Sequence, residues 1–455
     1  MAVSGNEIRA SGNNAVDGLL CGYDWQPGSD RALTYSFHAG TSASEKATVR
    51  AAFSAWEGVI NIDFREVSDG ADSVYKLYYE SDTRELGSAY LPQGSLLDGL
   101  WGLNSNSIAL NNLSAGAIGY ETAIHEIGHV LGLKHPHDSS ESFPSFADVG
   151  MQSYDTSLYT VMSYNDYGWS VAKGHAVTPM ALDIQAAQYM YGVNTVTGAG
   201  NDTYTISNDE LMRAVWDAGG IDIFDARAQI HADSFDLNAG GVCKTGTSSI
   251  VEIAYGVTIE GVLCGAGSDT VAANAADNLE AGNGGNDLLY GNAGLDTICG
   301  NAGADTIRGG TGNDQVYGGS DNDHLYGDLG DDAVRGDRGN DLVRGGQGND
   351  TLYGGRENDQ LMGDYGNDRL SGDIGNDTLT GGFDADTFMT RYGTGADIVT
   401  DFNAGEGDRI EMPTGTAYTL ADSSGGAMIQ LIDGTTLTLQ GFTVAQISTS
   451  WLQFA

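Results

Sequence analysis

Residues 282–317 read GNGGNDLLYGNAGLDTICGNAGADTIRGGTGNDQVY, which divides into four successive units of nine residues. Every unit begins with glycine, has aspartate at its sixth position and has an apolar residue at its eighth. The aspartate keeps this phase through twelve units, from Asp287 to Asp386. So sustained a period predicts a repeat architecture, in which each unit is stable only when it is stacked on its neighbours.

The unit has the form G-G-x-G-x-D-x-U-x, where U is apolar. Its second position is always Gly, Asn or Asp, as in Gly310, Asn292 and Asp337, and these residues tolerate the left-handed backbone of a tight turn. The unit therefore predicts a turn followed by a short strand that buries one side chain. We expect the stacked units to form an all-β parallel β-roll over about 262–390.

The charge of the chain indicates what the turns bind. There are 62 acidic and 20 basic residues, a net charge of −42, which disfavours nucleic acid and anionic membranes as partners. Facing turns would bring carboxylates together, and oxygen ligands with flexible geometry suit calcium better than magnesium or zinc. We predict that the following aspartates bind several calcium ions: Asp287, Asp296, Asp305, Asp314, Asp323, Asp332, Asp341, Asp350, Asp359, Asp368 and Asp377.

Some turns depart from the pattern. Asp321, Glu357 and Asp384 replace the third glycine of their units, and Asn278 stands where the phase requires aspartate. We expect weak or empty calcium sites at these turns.

The first part of the chain has the composition of an ordinary globular domain. Helical periodicity predicts a helix over 43–59 and another over about 119–133, with strands at 62–67, 73–79 and 107–111. This order predicts an α+β domain.

After about residue 196 the sequence changes to short strands with Gly, Asp and Asn. We therefore predict a multi-domain chain, with one domain at 1–196 and a C-terminal β domain at 197–455. The last segment of that domain, 391–455, follows the roll.

Residues 125–135 read HEIGHVLGLKH. On a helix His125 and His129 lie four residues apart on one face, which suits two imidazoles on one metal, and Glu126 lies beside them. Gly132 allows the chain to turn back and bring His135 to the same metal. Three neutral nitrogen ligands and an open position are typical of a catalytic zinc site.

A second motif, TVMSY at 160–164, supplies Met162 and Tyr164. The pattern HExxHxxGxxH followed by such a methionine turn is typical of metzincin metalloproteases. For a single methionine, packing in the core is the simpler interpretation. Its agreement with the extended histidine motif favours the metzincin interpretation.

With these motifs the sequence resembles the serralysin family of secreted bacterial metalloproteases. Pro136, which follows the third histidine, is similar to that family, as are GLLCGYDW near the N-terminus, MALDIQAAQYMYG at 180–192 and VWDAGGIDIFDA at 215–226. The resemblance extends over nearly the whole chain and implies a metalloendopeptidase with C-terminal calcium-binding repeats.

The resemblance also implies roles for individual residues. His125, His129 and His135 would bind zinc, Glu126 would be the general base, and Tyr164 would be a further, displaceable zinc ligand that supports the oxyanion. Met162 would form the structural turn beneath the metal. An extended peptide substrate would pair with an edge strand formed by Ser107, Ile108, Ala109, Leu110 and Asn111.

The family is exported to the extracellular space by an ABC-type machine that reads an uncleaved C-terminal signal. This would account for the lack of an export signal at the N-terminus, and no apolar run is long enough for membrane insertion. The chain departs from the family in ending with SWLQFA and in having four cysteines. We expect a monomer that acts on protein or peptide substrates.

Two other functions are compatible with the motifs. The chain could be a calcium-dependent adhesin with an inactive protease domain, or an intracellular metallohydrolase that acts on other substrates. The intact set of zinc residues argues against the first. Weak repeated calcium sites argue for the outside of the cell, where calcium is abundant. The widely spaced cysteines predict either unpaired thiols or a single disulfide.

Overall fold

A computed structural model describes residues 5–7, 11–21, 23–25, 29–37, 42–67, 75–77, 118–138, 144–165, 175–246, 249–391 and 393–455. The predicted substrate strand at 107–111 lies outside these residues. The chain forms two compact units. Unit 1 comprises Met1–Asp202, Asn208–Ile221 and Ala239–Val257, and unit 2 comprises Thr203–Ser207, Asp222–Asn238 and Thr258–Ala455. The assignment of a catalytic domain to 1–196 stays a prediction.

In the described part of the chain, all α-helices longer than one turn lie in unit 1. Its α-helices and β-strands up to residue 191 are β1 (Gly5–Glu7), α1 (Asn14–Asp17), β2 (Tyr23–Trp25), β3 (Ala32–Phe37), α2 (Ala43–Glu57), β4 (Asp63–Glu66), β5 (Tyr75–Leu77), α3 (Ile118–Leu131), β6 (His175–Ala176) and α4 (Ala181–Tyr191), and a 3-10 helix lies at Gln152–Tyr154. The parallel strands β4 and β5 flank β3. The helices predicted at 43–59 and 119–133 are present, and each ends two residues earlier than predicted.

The core of unit 1 forms where α2 packs on α3. Ala52, Phe53 and Trp56, spaced as one helical face, are buried, and the Trp56 indole Nε1–H donates a hydrogen bond of 3.1 Å to the carbonyl oxygen of Ile124. Helix α3 ends because Gly132 adopts a φ of +100°, which glycine reaches without strain. The hydrogen bond from Trp56 holds α3 at Ile124, the residue directly before His125.

The remaining strands are short. They are β7 (Thr203–Thr205), β8 (Leu211–Val215), β9 (Ile223–Asp225), β10 (Ser234–Asp236), β11 (Val242–Thr245), β12 (Ser249–Ile253), β13 (Gly261–Leu263), β14 (Thr270–Ala272), β15 (Leu279–Gly284), β16 (Leu288–Ala293), β17 (Thr297–Ala302), β18 (Thr306–Thr311), β19 (Gln315–Ser320), β20 (His324–Leu329), β21 (Ala333–Arg338), β22 (Leu342–Gln347), β23 (Thr351–Arg356), β24 (Gln360–Tyr365), β25 (Arg369–Ile374), β26 (Thr378–Phe383), β27 (Thr387–Met389), β28 (Ala396–Val399), β29 (Arg409–Met412), β30 (Tyr418–Asp422), β31 (Gly426–Leu431), β32 (Thr436–Gln440) and β33 (Leu452–Phe454). Strands β8, β11 and β12 belong to unit 1.

Unit 2 contains the predicted parallel roll. Consecutive strands alternate between two sheets, with even-numbered strands β14 to β28 in one and odd-numbered strands β7, β9 and β13 to β29 in the other. Neighbouring strands in a sheet are parallel and in register at eighteen residues, as in the pairs Leu289↔Ile307 and Ile298↔Val316. One turn of the roll therefore takes two nine-residue units.

The eighth-position residues of the twelve units form the core of the roll. From Leu289 to Phe388 all of them have 0% exposure. Full burial of such a side chain contributes about 1.5–3 kcal/mol, so stacking stabilises units that could not fold alone. Left-handed backbone in the turns is also confirmed, with φ of +69° at Asn292 and +73° at Asp337. Asp321 adopts this conformation in place of the third glycine, with φ of +82°.

Beyond the roll, β30, β31 and β32 form an antiparallel meander, and β28 pairs in parallel with β32. No disulfide joins the four cysteines, all of which lie in the described part of the chain.

Candidate metal centre

Helix α3 and the turn that follows it bring three histidines together. His125 and His129 lie one helical turn apart, and Gly132 redirects the chain so that His135 returns to the same place. One nitrogen from each ring lies within 4.8 Å of the other two, and His129 Nε2 lies 3.0 Å from His135 Nε2. The predicted triad is thus assembled by the backbone.

The other nitrogen of each ring is held by a hydrogen-bond acceptor. The Nδ1–H groups of His125 and His129 donate to the carbonyl oxygens of Val161 at 2.7 Å and Leu133 at 2.9 Å. His135 Nδ1 lies 3.0 Å from the carboxylate of Asp138. Because these oxygens only accept, they fix the tautomer that leaves each Nε2 lone pair for a metal.

Burial keeps the three imidazoles neutral. It lowers the pKa of His125 to about 4, lowers the pKa of His129 well below its ordinary value, and lowers that of His135. Metal ligation needs the unprotonated ring, so this shift favours binding.

Glu126 lies next to the triad with no partner for one of its oxygens. Its Oε2 atom is buried and makes no hydrogen bond, and burial raises the pKa of its carboxyl to about 7. A group with a pKa near neutrality both accepts and releases a proton easily, as a general base requires.

The Tyr164 ring, at the end of the segment 160–164, lies next to the rings of the triad. Its centroid lies 4.5 Å from that of His135 and 5.5 Å from that of His125, and its side chain is 55% exposed. Burial of the hydroxyl, with smaller effects from Glu126 and Asp138, raises its pKa to about 12. The hydroxyl therefore keeps its proton and is able to donate it in a hydrogen bond.

Met162 packs against α3 at Gly128, the residue before His129, and is fully buried. Its Sδ atom lies 2.6 Å from the position that a Cβ at Gly128 would take, so the methionine fills the space that glycine leaves on α3. A side chain at Gly128 would displace the sulfur.

Asp183, on α4, holds the turn that contains Met162. Its buried carboxylate accepts hydrogen bonds from the backbone N–H of Val161 at 2.7 Å, the backbone N–H of Met180 at 2.9 Å and the hydroxyl of Thr160. Since the Val161 carbonyl fixes His125, Asp183 positions a triad histidine. No spacing pattern identifies Asp183 or Asp138 from the sequence.

Unit 2 carries a second array of candidate metal ligands. The sixth-position aspartates form two rows, and in each row the backbone N–H of one aspartate donates to Oδ1 of the next, eighteen residues on, as from Asp305 to Asp323 at 2.8 Å. Oδ2 of each of the twelve aspartates is buried and has no partner. Burial is the main cause that raises the pKa of Asp323 to about 8. One oxygen of each of these carboxylates, Oδ2, is thus available to bind a cation.

We name the rows by their members. Row A contains Asp269, Asp287, Asp305, Asp323, Asp341, Asp359, Asp377 and Asp397, and row B contains Asn278, Asp296, Asp314, Asp332, Asp350, Asp368, Asp386 and Asp408. Asp397 and Asp408 do not fit the nine-residue spacing, because insertions place them 20 residues after Asp377 and 22 residues after Asp386.

Comparisons with known proteins identify the family of the chain. Residues 180–419, more than half of the chain, match the family described as peptidase M10 serralysin C terminal, and residues 24–154 match the matrixin family. The chain belongs to the serralysin-like metzincins. The chain therefore combines a matrixin domain with a serralysin C-terminal domain, and the latter contains the parallel β-solenoid.

Curated relatives match in part. The chain is 34% identical to serralysin of Proteus mirabilis over 50% of the chain and 54% of the relative, and 35% identical to metallopeptidase AprA of Pseudomonas marginalis over 51% and 54%. The chain therefore spans about half the length of the curated relatives it matches. Among the described residues no helix is long and apolar enough to cross a membrane.

Proposed function

We propose that this serralysin-like chain is a secreted zinc-dependent endopeptidase that hydrolyses peptide bonds of extracellular proteins. The observation that carries the proposal is the set of three neutral imidazoles, each with Nδ1 held by an acceptor and Nε2 turned toward the others, beside the unpartnered Oε2 of Glu126. Three nitrogen ligands with an acid outside the ligand set are typical of catalytic zinc.

His125, His129 and His135 would hold the ion, with Tyr164 as a displaceable fourth protein ligand. When bound, zinc supplies a Lewis acid that polarises the scissile carbonyl and makes a water molecule more acidic. The family membership implies this metal.

Glu126 takes the proton from the attacking water and later delivers it to the leaving amine. Its Oε2 is unpartnered, so the proton transfer breaks no existing hydrogen bond. Burial, which raises the pKa of this carboxyl, favours uptake of the proton.

The Tyr164 hydroxyl donates a hydrogen bond to the oxyanion that develops on the substrate. Such a donor acts mainly on the transition state. The substrate strand at 107–111 would hold an extended peptide by β-pairing, which places one peptide bond at the site.

Calcium would fill rows A and B. The unpartnered Oδ2 atoms fit a cation that prefers oxygen ligands, and residues 282–390 hold 20 acidic against 6 basic side chains. Without cations these carboxylates repel one another, so the free energy of calcium binding becomes free energy of folding. Secretion by an ABC-type machine would fit a roll that folds only outside the cell.

The test is hydrolysis of casein by the purified full chain in calcium. We expect hydrolysis that is abolished by 1,10-phenanthroline, a chelator that binds zinc far more tightly than calcium, and is restored by added zinc. Hydrolysis that persists with the zinc removed would contradict the proposal. A chain that binds zinc and calcium without cleaving casein or unfolded peptides would favour the adhesin alternative.

A further inference from the structure

The unit that precedes the regular array has an unusual sequence. Residues 273–281 read ANAADNLEA, with Asn278 at the aspartate position and Glu280 at the apolar position. All twelve units that follow have an apolar residue at that eighth position. The unit thus loses a carboxylate from the turn and gains one two residues later.

Glu280 lies in the core of the roll without a hydrogen-bond partner. Strand β15 places it in register between Val262 and Ile298, and its side chain has 0% exposure. Neither of its carboxylate oxygens makes a hydrogen bond. A buried carboxylate is tolerated only when a positive charge or hydrogen-bond donors compensate it, or when it is protonated.

The side chain of Ile298, at the eighth position of its unit, lies close to the carboxylate of Asp296 at the sixth position. A Cβ atom added to Gly291 would lie 2.5 Å from Asp296 Oδ2 and 3.0 Å from Ile298 Cδ1, so these two atoms are near neighbours. Glu280 is the register partner of Ile298. Its carboxylate therefore belongs at the beginning of row B, beside Asn278 and Asp296.

Two more oxygens at this end of row B have no partner. Asn278 directs its Nδ2–H group toward Asn274 Oδ1 at 3.4 Å, and its own Oδ1 is buried and unpartnered. Asp296 accepts the Asn278 backbone N–H on Oδ1 at 2.7 Å, which leaves Oδ2 unpartnered. One amide oxygen and three carboxylate oxygens, two of them from Glu280, are thus left without donors.

The electrostatics agree with this arrangement. Burial, followed by the charges of Asp296 and Asp314, raises the pKa of Glu280 to about 8. Asp296 and Asp314 are therefore close enough for their charges to act on Glu280, and a bound cation would relieve that repulsion.

We propose that Glu280, together with Asn278 and Asp296, binds a further calcium ion at the beginning of row B. Glu280 supplies the negative charge that Asn278 lacks, from a position that is apolar in the other units. Carboxylate and amide oxygens are the ligands that calcium prefers. The inference rests on the calcium proposal above and adds to it a ligand outside the G-G-x-G-x-D-x-U-x pattern.

The test counts calcium bound to the full chain by equilibrium dialysis and elemental analysis, at a calcium concentration that saturates the wild type. We expect Glu280→Gln and Glu280→Leu each to bind one ion fewer per chain. The first variant keeps the size of the side chain and removes its charge, and the second restores the apolar residue of the other units. Far-UV circular dichroism in calcium checks that each variant is folded.

Asp331→Asn is the matched control. It also converts one carboxylate to an amide beside row B, but Asp331 is exposed, and its oxygen accepts from Asn349, which an amide oxygen can also do. We expect the wild-type number of ions in this variant. Wild-type numbers in both Glu280 variants would overturn the inference and leave Glu280 as a buried neutral acid. A wild-type chain that binds no calcium would instead overturn the calcium proposal as a whole.

Discussion

Replacement of Asp183 by alanine tests whether the turn at 160–164 positions the triad. The wild-type carboxylate accepts two backbone N–H groups, from Val161 and Met180, and the Thr160 hydroxyl. Alanine leaves both backbone donors buried without a partner, at about 1–3 kcal/mol each. We therefore expect Asp183→Ala to lower the free energy of unfolding of unit 1 by about 2–6 kcal/mol.

Asp183→Asn is the matched control. Oδ2 alone accepts both backbone N–H groups, and an asparagine oxygen can take its place, while the hydroxyl of Thr160 can rotate to accept from the new amide. We expect this variant to lose only about 1 kcal/mol, the typical net contribution of one hydrogen bond.

Calorimetry in fixed calcium and zinc measures the difference. A loss of about 4 kcal/mol in a unit of this size lowers Tm by about 8–16 °C. Because the Val161 carbonyl also fixes His125, Asp183→Ala should weaken zinc binding about 10–100-fold, as measured by competition with a chelator. A Tm and a zinc affinity equal to those of Asp183→Asn would refute this role.

Three further predictions concern other parts of the chain. Tyr164→Phe should lower kcat less than loss of Glu126 does, with little change in KM, because the hydroxyl acts on the transition state; an unchanged kcat would mean that Tyr164 only packs. Gly128→Ala should destabilise unit 1 by about 1–3 kcal/mol, because the added Cβ would lie 2.6 Å from Met162 Sδ. Gly58→Ala is the control, since the atom nearest to its added Cβ is 3.5 Å away, and equal Tm values for the two variants in thermal unfolding would contradict this. Residues 260–455 alone should gain β-structure in circular dichroism as calcium is added; a complete β-signal in excess chelator, unchanged by calcium, would contradict calcium-driven folding.

The sequence predicts the roll well because its information is local and periodic. A glycine, an aspartate and an apolar residue at fixed positions specify turn, ligand and core in every unit, and the strands follow that phase from Leu289 to Phe388. The phase fails after Asp386, where insertions move Asp397 and Asp408 out of step while the hydrogen-bonded rows continue. Stacking in space therefore preserves a pattern that the spacing in the sequence loses.

The triad was also predictable, because helical periodicity and Gly132 place its members. The residues that hold the triad in place were not. Asp183 lies more than twenty residues from the Val161 N–H that it accepts, and the Trp56 indole reaches Ile124 across 68 residues. Such contacts depend on how α2, α3 and α4 pack together, and the periodic pattern of a single helix does not predict that packing.

The central claim is that Glu126 is the base of a zinc peptidase, and Glu126→Gln tests it most directly. Loss of a general base typically costs about 10²–10⁴-fold in rate, while the three histidine ligands stay in place. Glu121→Gln is the control on the same helix, because Glu121 Oε2 forms a hydrogen bond of 2.7 Å with His175 Nδ1 and takes no part in the triad. We predict that Glu126→Gln keeps one zinc ion per chain and a wild-type circular dichroism spectrum, yet cleaves a fluorogenic peptide at least about 100-fold more slowly than Glu121→Gln. Cleavage by zinc-loaded Glu126→Gln at the rate of the control would contradict the account.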